Sequence, residues 1–250
     1  MAMRLDRYLA ECGAGTRSEV KKFISGKRVS VNGTTVKDAS CKVEEQSDRV
    51  ELDGMPVRYA AVEYYLLNKP QGVLSASKAD LRDPSTFCVV DLIRDRVRDD
   101  LFPVGRLDKD TEGLLIITND GVLAHGLLSP KRRIDKTYYA ELDGTLSPEA
   151  AERLQLGVDI GDPKPTLPCR IRIRTANTCE ITIHEGRYHE VKRIFATEGL
   201  KVTYLKRLSM GPLQLDPGLQ PGDCRPLTKE EISLLQKTAY PKAAEDHNIE

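Results

Sequence analysis

The chain has 250 residues, which is long enough for one large domain or for two. Hydrophobic residues make up 40% and charged residues 30%, a composition that provides a core and excludes a wholly disordered protein. No apolar run approaches the roughly 18 residues of a membrane span. The N-terminus carries charges where a signal peptide needs its apolar centre. We therefore expect a cytoplasmic protein with no membrane partner.

Charge is unevenly distributed along a chain that is neutral as a whole. The 38 Lys and Arg residues balance the 38 Asp and Glu residues. Residues 1–37, however, contain eight basic residues against three acidic ones, a net charge of +5. Phosphate contacts act over a Debye length of about 8–10 Å, so local charge matters more than the total. The N-terminal segment is therefore a candidate nucleic-acid surface.

Residues 1–58 are predicted to form a small N-terminal module. Leu5 and Leu9 lie on one face of a first helix. The sequence T-R-S-E at residues 16–19 is a capping box that predicts the start of a second, basic helix. Asn32-Gly33, between two short alternating runs, predicts a hairpin turn.

A larger domain is predicted over residues 62–238, after a linker at 57–62 and before a polar tail at 239–250. Strand patterns occupy residues 64–67, 114–118, 137–142, 170–174 and 180–184. Helices are predicted after Asn119-Asp120, from Ser147-Pro148, around residues 191–195 and from Thr228. Strands interleaved with helices and partly joined by hairpins indicate a mixed α+β fold class.

Three patterns that resemble metal sites are incomplete. Residues 108–119 nearly match a calcium loop, but Asn119 stands where a bidentate Glu is required. The sequence H-E-G-R-Y-H at 184–189 lacks the spacing that places two imidazoles on one helical face. The six cysteines form no C-x-x-C pair and are expected to be reduced thiols. We expect no metal.

Asp108 follows the glycine-containing turn at residues 104–106 and precedes a buried strand. Spacing alone predicts a turn or cap aspartate at this position. A glycoside hydrolase would need a second carboxyl group at a defined separation, and no motif nominates one.

Five ordered motifs resemble those of the RNA pseudouridine synthases. The sequence G-R-L-D-K-D-T-E-G-L-L at 105–115 is similar to the family signature G-R-L-D-x-x-T-x-G-L. L-N-K-P-Q-G at 67–72, K-T-Y at 136–138 and E-G-R-Y-H-E-V-K-R at 185–193 resemble three further family motifs. Residues 4–33 resemble an S4 RNA-binding domain. The wording of the third motif is closest to the branch that acts on small-subunit ribosomal RNA.

The resemblance implies an isomerase that converts a uridine of small-subunit (16S) ribosomal RNA to pseudouridine after the base has left the stack. It implies an α+β domain around a central antiparallel sheet. Asp108 would be the essential carboxylate, either as nucleophile at ribose C1′ or as base at C2′. Lys192 would keep it ionised, Tyr138 would stack on the uracil, and Arg106 would help fill the vacated stack.

The same resemblance extends to binding residues and partners. Lys69 and Arg187 are candidate substrate-binding residues, and the candidate RNA-binding residues are Arg17, Lys21, Lys22, Lys27 and Arg28. The isomerisation is redox-neutral, so no cofactor is expected. The expected partner is ribosomal RNA or a partly assembled small subunit, bound by a monomer. A synthase for large-subunit ribosomal RNA and a non-catalytic ribosome-assembly factor of the S4 type stay open as alternatives.

Overall fold

The structure, a computed structural model, describes residues 2–12, 14–45, 47–57, 62–78 and 86–241. The chain divides into two compact units. The first extends to Glu63 and also includes Arg94–Leu101, and the second contains Tyr64–Ile93 and the chain from Phe102 onward. None of the helices in these described stretches is long and apolar enough to span a bilayer.

In the described part of the first unit there are two helices and six short strands. Its elements are β1 (Ala2–Arg4), α1 (Leu5–Glu11), α2 (Arg17–Ser25), β2 (Val29–Val31), β3 (Thr34–Thr35), β4 (Lys42–Glu44), β5 (Val50–Leu52) and β6 (Met55–Val57). Strands β1 and β4 pair with each other, and the other four form an antiparallel sheet in the order β3-β2-β5-β6. The predicted turn at residues 32–33 joins β2 to β3 and is confirmed.

Local sequence signals explain how the first unit folds. The Thr16 side chain accepts a hydrogen bond from the Glu19 amide, and the Glu19 carboxylate accepts one from the Thr16 amide, which confirms the predicted capping box. The core beneath the helices is aliphatic, with one tyrosine and one cysteine, and consists of Leu5, Tyr8, Leu9, Cys12, Val20, Ile24, Val29, Val43 and Val50. The apolar stripe of α2 thus faces the core and its basic residues face outward.

The second unit has nine strands among the residues that the structure describes. They are β7 (Tyr64–Lys69), β8 (Phe102–Pro103), β9 (Glu112–Thr118), β10 (Lys136–Leu142), β11 (Arg170–Thr175), β12 (Thr178–Ile183), β13 (Val202–Met210), β14 (Leu213–Gln214) and β15 (Cys224–Pro226). Its α-helices are α3 (Gly121–Leu128), α4 (Pro148–Gln155), α5 (Glu190–Ala196) and α6 (Lys229–Ala239), and 3₁₀ turns occupy Val89–Leu92 and Pro130–Arg132. The mixture confirms the α+β fold class.

One sheet runs through the second unit in the order β11-β12-β10-β13-β9-β7-β15, with β14 beside β13 and β8 beside β9. The pairings are antiparallel except that β13 and β9 run parallel. The sheet is therefore mixed, and the expectation of an antiparallel sheet is wrong at this one pairing. Strand β9 has six consecutive buried residues, as expected for a strand covered on both faces.

Helices α3 and α6 cover one region of the sheet. Leu114 and Ile116 of β9 pack in one apolar cluster with Leu123 and Leu127 of α3 and Leu235 of α6. The helices begin where the sequence predicted, because side chains cap their first amides: Asp120 for α3, Ser147 for α4 and Thr228 for α6.

Strand β13 lies at the centre of the sheet between β10 and β9, yet the sequence analysis did not predict it. Lys206 and Arg207 interrupt its apolar pattern, and Arg207 is nevertheless 2% exposed. Most of the linker predicted at residues 57–62 (58–61) and most of the predicted tail (242–250) lie outside the described residues, and Val57 is the last residue of β6.

The parallel contact between β9 and β13 requires a glycine. Gly113 has φ +102°, and a Cβ atom there would lie 2.2 Å from the Arg207 carbonyl oxygen. Gly199, after α5, also has a positive φ of +72°, but open space surrounds the position of its missing Cβ. Substitutions at these two glycines therefore distinguish the effect of backbone strain from that of steric overlap.

We expect Gly113→Ala to lower the free energy of unfolding by about 3 kcal/mol or more, because β9 must move away from β13. Gly199→Ala carries only the strain of a left-handed alanine and should cost about 1–2 kcal/mol. Urea denaturation followed by circular dichroism measures both. Equal losses for the two variants would contradict the close packing at Gly113.

Candidate active site

A cleft opens in the second unit where the loop before β9 meets the segment that leads into α5. The loop contributes Arg106, Leu107, Asp108 and Thr111, and the sheet contributes Tyr138, Ile183 and Leu205. The remaining lining residues are Gly186, Arg187, His189, Glu190, Val191 and Lys192. Three of the motifs recognised in the sequence, separated by up to about 85 residues along the chain, thus line one cleft.

The loop that carries Asp108 is organised around a buried ammonium group. Lys69, the last residue of β7, is 0% exposed, and burial lowers its pKa to about 8. Its three N–H groups are shared among four carbonyl oxygens, those of Pro70 (3.0 Å), Asp108 (3.1 Å), Lys109 (3.4 Å) and Thr111 (2.9 Å). These bonds fix the backbone from which the Asp108 side chain projects.

Lys69 was expected to bind substrate, and the structure corrects that expectation. Its side chain points into the protein and is absent from the cleft lining. Sequence analysis could recognise the motif but not the direction of the side chain. A lysine so fully bonded to backbone oxygens has no donor left for a phosphate.

Asp108 meets two basic side chains from the segment that begins α5. Lys192 Nζ lies 3.0 Å from Asp108 Oδ2, and His189 Nε2 lies 3.5 Å from Asp108 Oδ1. Lys192 also donates to Asp110 Oδ1 at 2.6 Å. The structure therefore places the predicted carboxylate beside the predicted cation, and it adds His189 and Asp110, which the sequence analysis did not assign to the site.

Lys192 and Asp110 stabilise each other's charge. The hydrogen bond from Lys192 holds the pKa of Asp110 below its usual range. Burial on its own lowers the pKa of Lys192, but the bonds to Asp110 and Asp108 outweigh it and raise that pKa. Lys192 is thus a firmly protonated cation at the mouth of the cleft.

Arg187 stabilises the segment before α5. Its guanidinium donates to Glu185 Oε1 and to the carbonyl oxygens of Lys164 (2.6 Å) and Pro165 (2.8 Å). Its backbone amide donates to Glu190 Oε2 at 2.8 Å. Arg187 lines the cleft as expected of a substrate-binding residue, but most of its donors are already used to connect two loops.

Tyr138 and Arg106 both line the cleft. Tyr138 lies on β10 and is 7% exposed, and its hydroxyl has no hydrogen-bond partner within the described residues. Arg106 is exposed, and no ion pair to it occurs in the described parts of the chain. Both side chains are therefore available to a ligand in the cleft.

A cluster of buried charges lies behind Tyr138. Lys136 is on the same face of β10, and Arg207 of β13 donates from Nε to the Leu114 carbonyl oxygen at 2.7 Å. Burial first, and then the nearby Arg207 charge, lower the pKa of Lys136 to about 8 against the opposing effect of Glu190. Burial also raises the pKa of Glu190. The sequence signalled Lys136 only as part of a motif.

The candidate RNA-binding residues lie together on the first unit. Arg17, Lys21 and Lys22 are exposed on α2, and Lys27 and Arg28 are exposed immediately after it. Arg28 pairs with Asp53 and stacks 4.5 Å above the Phe23 ring, so it is the most restrained of the five. The other residues form an exposed basic surface on one helix and its following turn.

Within the described residues, no group of three or more His, Cys, Asp or Glu side chains is arranged to hold a metal ion. The six cysteines are free thiols, and burial raises the pKa of Cys169 to about 11 and that of Cys12 to about 12.

Comparison with known proteins assigns this architecture to a family. The sequence model for RNA pseudouridylate synthase matches residues 63–197, and the model for the S4 domain matches residues 3–50. A crystal structure described as a pseudouridylate synthase superposes with a TM-score of 0.65 at 34% identity, covering 93% of this chain and 99% of that one. The chain therefore belongs to the RNA pseudouridine synthase family, and it is an enzyme of the type that carries an N-terminal S4 domain.

Its curated relatives cover nearly the whole chain. The uncharacterized RNA pseudouridine synthase YtzG of Bacillus subtilis (strain 168) is 45% identical, with 94% of this chain and 99% of that protein aligned. Ribosomal small subunit pseudouridine synthase A is 40% identical in Pseudomonas aeruginosa and 37% identical in Escherichia coli (strain K12). Each of those alignments covers 92% of this chain and 99% of the relative.

We expect the Lys136 charge to impose a pH-dependent stability. Its pKa is about 8 in the folded state against 10.5 ordinarily. Between these values the unfolded state holds the proton that the folded state has released, so this group makes the free energy of unfolding rise with pH. In the Lys136→Met variant this contribution is absent, so its free energy of unfolding should not show this rise with pH. Urea denaturation at pH 7, 8.5 and 10 should show the stability of wild type increasing relative to that of the variant. If the free energies of unfolding of the two proteins change with pH in parallel, the burial of this charge is contradicted.

Proposed function

We propose that this enzyme isomerises a uridine of 16S ribosomal RNA to pseudouridine and that Asp108 is its essential carboxylate. One observation carries the proposal: Asp108 projects from a rigid loop into the cleft that Tyr138 and Lys192 also line. The small-subunit target is supported by the relatives named ribosomal small subunit pseudouridine synthase A.

The reaction breaks the bond between N1 of uracil and C1′ of ribose and forms a bond from C5 to C1′. C5 loses its proton to solvent and N1 gains one, so no oxidant or reductant is needed. Asp108 acts in its ionised form, either by attacking C1′ or by removing a proton from C2′. The Lys192 ammonium lies 3.0 Å from Oδ2 and is the cation paired with this carboxylate.

The other cleft residues receive roles from their positions. Tyr138 offers its ring as a stacking surface for the flipped uracil, and base–aromatic stacking is worth about 1–3 kcal/mol. Arg106 is exposed beside Asp108 and is suited to occupy the space that the flipped base leaves in the RNA. Arg187 supports the cleft wall, and its guanidinium edge contacts the substrate.

The basic surface of the first unit anchors the RNA. Arg17, Lys21, Lys22, Lys27 and Arg28 supply sequence-independent phosphate contacts from α2 and the turn after it. We propose a functional division into an RNA-binding part at residues 1–58 and a catalytic part at residues 62–238. We further propose that the enzyme works as a monomer in the cytoplasm, where ribosomal RNA or a partly assembled small subunit meets it.

We expect Asp108→Asn to abolish turnover while RNA binding stays nearly intact, because the change removes the carboxylate charge and keeps the shape. The measurement is tritium release from 16S ribosomal RNA labelled at uracil C5. Asp143→Asn, an isosteric change at an exposed residue after β10, is the matched control and should react like wild type. Substantial release by Asp108→Asn would refute the mechanism.

The same assay decides between targets. Release from 23S but not 16S ribosomal RNA by wild type would assign the enzyme to the large subunit. If partly assembled small subunits also give no release, a non-catalytic assembly factor becomes the better description.

We expect Lys21→Glu/Lys22→Glu to weaken RNA binding by at least tenfold at low salt, since two phosphate contacts become repulsive. The matched control, Lys229→Glu/Lys237→Glu, reverses two exposed charges on α6 and changes the net charge equally. Filter binding at several salt concentrations should show a shallower salt dependence for the α2 variant only. Equal weakening by both variants would indicate that net charge, not the α2 surface, controls binding.

A further inference from the structure

The two oxygens of the Asp108 carboxylate are contacted by two different side chains. Oδ2 lies 3.0 Å from the Lys192 ammonium, and Oδ1 lies 3.5 Å from Nε2 of His189. The side chain of Asp108 is 28% exposed, so the carboxylate is partly shielded from solvent. The orientation of this carboxylate therefore depends on both partners.

Lys192 alone restrains the orientation of the Asp108 carboxylate only weakly. An ammonium group is a point charge that contacts one oxygen, whereas a guanidinium contacts both oxygens through two parallel hydrogen bonds. Lys192 is also shared, because it lies closer to Asp110 (2.6 Å) than to Asp108 (3.0 Å). The carboxylate could rotate about its bond to Cβ unless a second group held Oδ1.

His189 is placed to be that second group. Its backbone has φ +48° and ψ +35°, a left-handed conformation that begins α5. Its ring stacks on Tyr188 with the centroids 3.8 Å apart and an angle of 21° between the planes. Backbone and stacking together restrict where Nε2 can point. Lys192, three residues later, lies on the same side of the helix start.

We infer that His189 is a positioning residue that holds Oδ1 of Asp108, so that His189 and Lys192 together replace the bidentate grip of an arginine. The inference rests on the proposed function of Asp108. This role requires Nε2 to bear a proton that is directed at Oδ1, 3.5 Å away. The charged groups that face the imidazole are Asp108, Asp110 and Lys192.

Two substitutions of His189 distinguish the effect of losing the contact with Asp108 Oδ1 from the effect of losing the imidazole ring. Asparagine tolerates the left-handed conformation but is too short to reach Oδ1. Glutamine places its amide nitrogen near the position of Nε2 and can still donate. His189→Asn should therefore lose the contact and His189→Gln should keep it.

The test measures single-turnover tritium release from 16S ribosomal RNA labelled at uracil C5. We expect His189→Asn to be about tenfold slower than wild type, the rate equivalent of one hydrogen bond to a charged group. His189→Gln should recover most of that loss. The two variants should have nearly the same RNA affinity and nearly the same midpoint of urea denaturation.

A second comparison uses Lys192→Arg as a background. A guanidinium at this position can hold both oxygens, so His189→Asn should cost less than threefold there, measured against Lys192→Arg alone. Equal slowing by asparagine in both backgrounds, or equal rates for the asparagine and glutamine variants, would overturn the inference. A loss confined to RNA affinity would also overturn it, because His189 would then contact the substrate.

A different result is expected if the proposed function itself is wrong. In that case wild type itself releases no tritium from any ribosomal RNA or assembling particle. If wild type is active and His189→Asn matches it, only the positioning role of His189 is wrong.

Discussion

The ammonium group of Lys69 determines the shape of the loop on which the candidate chemistry depends. A buried lysine is costly unless its donors are satisfied, and here four backbone oxygens surround Nζ. Three of those oxygens belong to the loop from Asp108 to Thr111, so the end of β7 is connected to the start of β9. Burial lowers the pKa of Lys69 to about 8, which is the electrostatic consequence of placing a charge at this point. The rigidity of the Asp108 backbone follows from these bonds.

The side chain of Asp108 is controlled from the other wall of the cleft. Lys192 and His189 come from the start of α5, and the buried Glu190 accepts the Arg187 amide to fix the chain just before it. The positions of both walls are also constrained by the sheet, because β9 and β13 pack against each other at Gly113 with no room for a side chain. Backbone bonds on one side, ion pairs on the other and a close strand contact between them together define the cleft.

Local signals predicted the elements of the fold well. Capping residues at Thr16, Asp120, Ser147 and Thr228 marked helix starts because their effect is confined to the first turn. Alternating patterns marked β11 and β12, because successive side chains of a strand point to opposite faces of the sheet. Strand β13 was missed because Arg207 breaks its apolar pattern. In the folded chain Arg207 Nε donates to the Leu114 carbonyl oxygen, whereas its buried Nη2 has no hydrogen-bond partner within the described residues.

The sequence by itself determined the motifs, their order, the α+β class and the basic character of the first module, since each of these depends on residues that are near one another in the chain. It also nominated Asp108, Tyr138 and Lys192 through the family resemblance. Only the tertiary structure decided which motif residues face the cleft: Lys69 turns inward, Arg187 is engaged by neighbouring loops, and His189 reaches Asp108. Those outcomes depend on contacts between segments about 20 to 80 residues apart. The identity of a residue carries no information about the direction in which folding will point its side chain.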